Sequence, residues 1–145
     1  MTTGLPKLLE MSGRERILLL EATLVLGAVR LALAFAPLRS VRRVLLRIST
    51  ALANAGAAEG PERVVTAVMR ASRSLPGATC LSQALTLEML LRRRRQSAQL
   101  RIGFSRVGRR GLEGHAWVES EGRTLMAGVG HAAFAALPLT GKAER

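Results

Sequence analysis

Residues 79–95 read TCLSQALTLEMLLRRRR, and residues 98–105 read AQLRIGFS. The spacing of the apolar residues changes between these two stretches, and that change decides the fold class. Thr79 follows the breaker PGA at 76–78 and suits an N-cap, so Cys80 becomes the first helical residue of a helix predicted to run to about Arg94. Beyond Gln96 apolar and polar residues alternate. AQLRIGFS, GHAWVES at 114–120 and RTLMAG at 123–128 read as three short strands. SEG at 120–122 is a tight turn, which predicts an antiparallel hairpin from the second and third strands. RVGRRGLEG at 106–114 reads as a Gly- and Arg-rich loop, and HAAFAALPLTGKAER at 131–145 as a short helix or loop with a frayed end.

Upstream the pattern is helical. Ser12 and Glu15 have capping-box spacing, and the apolar run behind them, ERILLLEATLVLGAVRLALAF at 15–35, holds until Pro37. Its interior charges, Glu21 and Arg30, are nine residues apart and fall on opposite sides of a helix. The segment is therefore apolar nearly all round. Two charges are expensive for a spanning segment, so it reads as a central buried helix, with contact to a membrane left open. VRRVLLRISTALANAG at 41–56 predicts a second helix, basic on one face. PERVVTAVMRASRSL at 61–75 predicts a third, with Val64, Val65, Val68 and Met69 as its apolar stripe. Helices first and a small antiparallel sheet last make an α+β arrangement. A length of 145 residues suits one domain, read as a helical part at 1–75, a core at 76–130 and a tail at 131–145.

Composition excludes several function classes. A single Cys rules out an intramolecular disulfide and a Cys-rich zinc site, and it fits a reducing cytoplasm. The N-terminal stretch lacks a cleavable signal pattern, because charges interrupt its apolar run. The net charge of +12 rests on 20 Arg and 2 Lys, and the simplest reading is a solvated basic surface. Arg92 to Arg95 read likewise as the solvated end of a helix, where positive charge suits the dipole. Single-stranded nucleic-acid binding pairs such charge with stacking aromatics, which are 3% of this chain, so no nucleic acid is expected. No phosphate-binding glycine loop, His-rich motif or useful carboxylate pair is present, and neither a metal nor a cofactor is expected.

Two residues carry the candidate chemistry. The start of a helix favours the thiolate of Cys80, the nucleophilic form, although a buried and inert thiol fits the same position. In GHAWVES, alternation puts His115, Trp117 and Glu119 on one face of a strand and Ala116 and Val118 on the other, core-facing one. His115 can then serve as general base to Cys80, or can be a histidine bonded only to local backbone. His131 is the competing base. The backbone N–H of Cys80 is the natural oxyanion donor, with Gln83 and Thr79 as supporting groups.

The stretches CLSQALTLEMLLRRRRQSAQLRIGFSR and GHAWVESEGRTLMAG resemble the leader peptidases of lasso-peptide biosynthesis. These are transglutaminase-like cysteine proteases related to the C-terminal domain of the microcin-processing protein. The helical segments upstream are similar as well, so the resemblance covers roughly residues 12–128. It implies a transglutaminase/papain-like core that removes the leader from a ribosomally made precursor peptide, with Cys80 as nucleophile and His115 as base. It implies two further partners, a separate leader-recognition protein and a macrolactam synthetase that closes the freed core peptide. The family's triad places an acid on the strand after the His, near Ala127, but this chain contains no Asp. Glu119 is a poor substitute, because four strand residues put it about 13 Å along the strand from His115. The resemblance thus implies a Cys80–His115 dyad with the third member unassigned. A non-catalytic, basic peptide-binding module is the alternative.

Overall fold

The computed structural model describes residues 10–53, 60–106, 112–125 and 135–137. Four helices come first: α1 (Gly13–Phe35), α2 (Leu38–Ala51), α3 (Pro61–Ser74) and α4 (Cys80–Arg93). The strands β1 (Gln99–Arg106), β2 (Leu112–Ser120), β3 (Arg123–Leu125) and β4 (Ala135–Leu137) follow. The α+β class read from the sequence is the observed one. The capping box at Ser12 and Glu15 is formed in both directions, Pro61 occupies the first turn of α3, and α4 begins at Cys80 behind Thr79.

The sheet is antiparallel in the order β3-β2-β1-β4. Ser120 and Arg123 pair across a two-residue turn in which Glu121 and Gly122 both have positive φ, at 50° and 76°. This type I′ geometry suits the twist of a hairpin. β4 is a departure from the sequence reading, which gave the tail a short helix or loop. Ala135–Leu137 pairs with Ile102–Phe104 of β1, and a three-residue AAL segment is too short to show an alternation that marks a strand.

The central buried helix is α4, with nine of its 14 residues buried. Leu85, Leu87, Leu90 and Leu91 meet α1, α2 and α3 around it and the sheet beneath, where Leu100, Ala116 and Val118 are buried. α1 packs chiefly on α3 and α4, yet it buries only Leu18, Ala22, Leu26 and Val29. Its opposite side is exposed, so the reading of α1 as the central buried helix is corrected. A run that is apolar all round does not reveal that one side lacks a neighbour.

The interior charges of α1 do lie on opposite sides, and each has a task. The Glu21 carboxylate accepts hydrogen bonds from Arg93 and from Arg94, the latter at 2.8 Å. The guanidinium of Arg30 lies against Gly77, so close that a Cβ there would stand 2.7 Å from its Nη2. The arginine run is accordingly only in part a solvated helix end. Arg92 donates to the carbonyl of Ala98, Arg93 and Arg94 reach back to α1, and Arg94 also donates to the carbonyl of Leu90. Arg92 and Arg95 keep the exposed position expected of the run, and Arg95 also closes the helix. With φ of 57° it occupies the left-handed position of a Schellman cap, in which Gln96 N–H donates to Leu91 O and Arg95 N–H to Arg92 O.

Candidate active site

The local sequence builds the start of α4 in a particular way. A helix leaves its first four N–H groups without intrahelical partners. Here Thr79 Oγ1 accepts from Ser82 N–H at 3.2 Å, and Ser82 Oγ accepts from Thr79 N–H at 2.9 Å. The box consumes the outer two donors. The inner two, on Cys80 and Leu81, make no hydrogen bond among the described residues. They flank the thiol, which is half-buried, makes no hydrogen bond among the described residues, and packs against the core together with Ala78, Leu81 and Ile102. Thr79 is exposed, with its N–H and hydroxyl engaged in the cap. Gln83, half-buried, stands one helical turn beyond Cys80 on the same side, and its N–H donates to Thr79 O.

His115 lies in β2 opposite Gly103 of β1. Ala116 and Val118 are buried on the helix side of the sheet, so alternation puts His115, Trp117 and Glu119 on the other side. These three are connected. The His115 and Trp117 rings stack with centroids 6.2 Å apart, Trp117 Nε1 donates to Glu119 at 3.4 Å, and Arg101 Nε donates to the same carboxylate at 3.1 Å. Trp117 is buried and His115 half-buried. Glu119 is thus engaged away from the imidazole, in keeping with its distance along the strand. The positions near Ala127 and at His131 lie outside the described residues.

One contact sets the level of the sheet against the helix. Leu100 N–H donates to the Glu88 carboxylate at 3.1 Å. From Glu88 back to Cys80 the helix extends about 12 Å. From Leu100 forward to Gly103, β1 advances about 10 Å, returning along the helix it follows. His115, paired with Gly103, therefore stands level with the Cys80 end of α4 and not with the Arg93 end.

Sequence reasoning missed Glu88. Its side chain is 2% exposed and takes two hydrogen bonds from Arg42 of α2, at 3.0 Å from Nε and 2.7 Å from Nη2. Arg92 Nε adds a longer ion pair at 3.7 Å. The signal was a lone carboxylate inside the otherwise uncharged stretch ALTLEMLL, at a position that faces the core.

A family model described as the transglutaminase-like superfamily matches residues 23–138, which takes in α4 and all four strands. The chain belongs to that superfamily. No curated protein and no solved structure matches it. In this transglutaminase-like chain, two surface hollows lie away from Cys80 and His115. One is between α1 and α3, lined by Met11, Leu18, Glu62 and Arg70 among others, and one is on α2, beside Arg43 and Arg47. Among the described residues no group of three His, Cys or acidic side chains is placed to hold a metal ion.

Proposed function

We propose that this protein is a cysteine peptidase that removes the leader from a ribosomally made lasso-peptide precursor before macrolactam closure. The observation that carries the reading is the start of α4. The capping box leaves the N–H groups of Cys80 and Leu81 open beside the thiol, on a chain of the transglutaminase-like superfamily, with a histidine level with it on β2. In this mechanism the Cys80 thiolate attacks the scissile carbonyl, and the two N–H groups receive the charge on the oxygen. His115 donates a proton to the departing amine as the C–N bond breaks, leaving an acyl-enzyme. Water then gives His115 a proton and attacks the thioester, releasing the leader and the thiol. Alternation puts the imidazole on the sheet face turned from α4, so this mechanism requires it to reach the thiol around the sheet.

In this reading Thr79 holds the cap and so positions Cys80, and Gln83 assists the oxyanion. The Trp117 ring stacks on the imidazole, and the third member of the triad is unassigned. The partners in this reading are the precursor peptide, a separate leader-recognition protein and the macrolactam synthetase, in the cytoplasm, with no cofactor and no nucleic acid. The test is mass spectrometry of precursor peptide incubated with the recognition protein and either the wild-type chain or its Cys80→Ala variant. Leader release by the wild type alone is expected, and equal release by both refutes the reading.

The absence of Asp favours a second reading, a basic peptide-binding module without catalysis. It predicts precursor binding with no cleavage, and a Cys80 that reacts with a thiol reagent no faster than free cysteine does.

A further inference from the structure

The side of α1 turned away from the core carries Ile17, Leu20, Leu24, Leu31 and Phe35, exposed by amounts running from 61% at Leu20 to 84% at Phe35. With the exposed Ala28 they follow the helical repeat and form one stripe along the helix, about 27 Å long. Side chains of this size and exposure amount to roughly 500 Å², at the upper end of what monomeric proteins leave uncovered. The helix is long and apolar enough to cross a bilayer, but Leu18, Ala22, Leu26 and Val29 commit its other side to the protein core. It is therefore available to a membrane only lengthwise.

We propose that this stripe is a membrane-docking face that lies in the plane of an anionic bilayer. Two features favour lipid over protein as its occupant. First, the stripe holds no side-chain donor or acceptor, and the nearest hydroxyl, Thr23, donates back to Leu19 O at 2.8 Å. A protein interface of this size carries several hydrogen bonds, whereas hydrocarbon asks for none. Second, arginines stand at both ends of the stripe, matched at the first by the carboxylates of Glu10 and Glu15, so the excess positive charge lies at the α2 end. Arg14 and Arg16 are exposed at the start of α1, and Arg39, Arg43 and Arg47 are exposed on α2, which begins two residues after Ala36. α2 carries no acidic residue and exposes Val44 and Ile48 beside these arginines. Arginines flanking an apolar surface place their stems on it and their guanidinium groups among anionic headgroups. The same charge works against a second copy as occupant, since each chain brings +12 to the encounter.

The test uses the whole protein and needs no peptide substrate, so its outcome is independent of the peptidase reading. Cosedimentation with vesicles of phosphatidylcholine containing phosphatidylglycerol is compared with pure phosphatidylcholine, at low and high salt. Binding to the anionic vesicles that weakens with salt is expected. Exchanging Arg14, Arg39 and Arg43 for Gln reduces it about a hundredfold, from roughly fivefold per arginine. Exchanging Leu20, Leu24 and Leu31 for Ser reduces it at least as much, and circular dichroism confirms that these exposed positions leave the fold intact. Absence of binding to anionic vesicles overturns the proposal, as does equal binding to both lipids. A wild-type dimer in sedimentation equilibrium that the leucine changes disperse also overturns it.

Discussion

Replacing Arg42 with Met leaves the Glu88 carboxylate in the core without its two shortest hydrogen bonds. Both charges are well shielded, with side-chain exposures of 18% for Arg42 and 2% for Glu88, so screening by water does little to soften the loss. Breaking a buried pair from one side costs about 3–5 kcal/mol, mostly the penalty of the charge left behind. Leu100 N–H at 3.1 Å and Arg92 at 3.7 Å remain, which places the expected cost at the lower end, about 3 kcal/mol. For a chain of this length that is a fall in Tm of about 10 °C. Removing both members, Arg42→Met with Glu88→Leu, replaces an ion pair with apolar volume. It is expected to cost no more than about 1 kcal/mol, the loss of the acceptor for Leu100 N–H. Urea unfolding of the two single variants and the double variant measures the coupling directly. A cost below about 1 kcal/mol for Arg42→Met alone, or additive single effects, refutes the account of Glu88 as a charge held by its partner.

The other expectations are smaller and run in both directions. Thr79→Ala removes the acceptor for Ser82 N–H and is expected to cost about 1 kcal/mol in urea unfolding and, under the proposed peptidase function, to slow leader cleavage because Cys80 loses its fixed position. Gly77→Ala places a Cβ at φ of 78° and against Arg30, for a cost of about 1–2 kcal/mol read as a lowered Tm. Arg95→Gly relieves a left-handed position at an exposed site and is expected to stabilise by about 1 kcal/mol in the same assay. The Glu62 carboxyl is held below its usual range by its own backbone N–H and then by Arg123 at 3.0 Å. Whatever this exposed pair contributes is present above the ordinary carboxylate value and is lost as pH falls through the lowered one. In an NMR titration, Arg123→Gln should move the midpoint of Glu62 upward.

The sequence disclosed most where local chemistry dictates local structure. The box at Ser12 and Glu15, the start of α4 behind Thr79, and the turn at Glu121 and Gly122 were all readable, because capping and turn geometry depend on residues a few positions apart. Alternation also gave the facing of Ala116 and Val118 and the shared side of His115 and Trp117. What escaped depends on distant partners. Nothing within the RRRR run says that Arg93 and Arg94 meet a carboxylate about 70 positions earlier, or that Glu88 is met by Arg42. The short AAL segment becomes a strand only because β1 offers it an edge. The candidate site lies between these cases. The residues were legible one by one, whereas the level of His115 along α4 depended on the Leu100–Glu88 contact.

The two charges inside α1 bear on a hazard peculiar to such helices. A cylinder of leucine, valine and alanine fits its neighbours nearly as well after sliding by one turn, about 5.4 Å, since apolar contacts do not distinguish one setting from the next. Glu21 and Arg30 do. Glu21 must reach Arg93 and Arg94 at the far end of α4, and Arg30 must reach Gly77 ahead of its start, so a slide separates both at once. The two charges inside this apolar segment are what confine it to a single setting against the helix that carries Cys80.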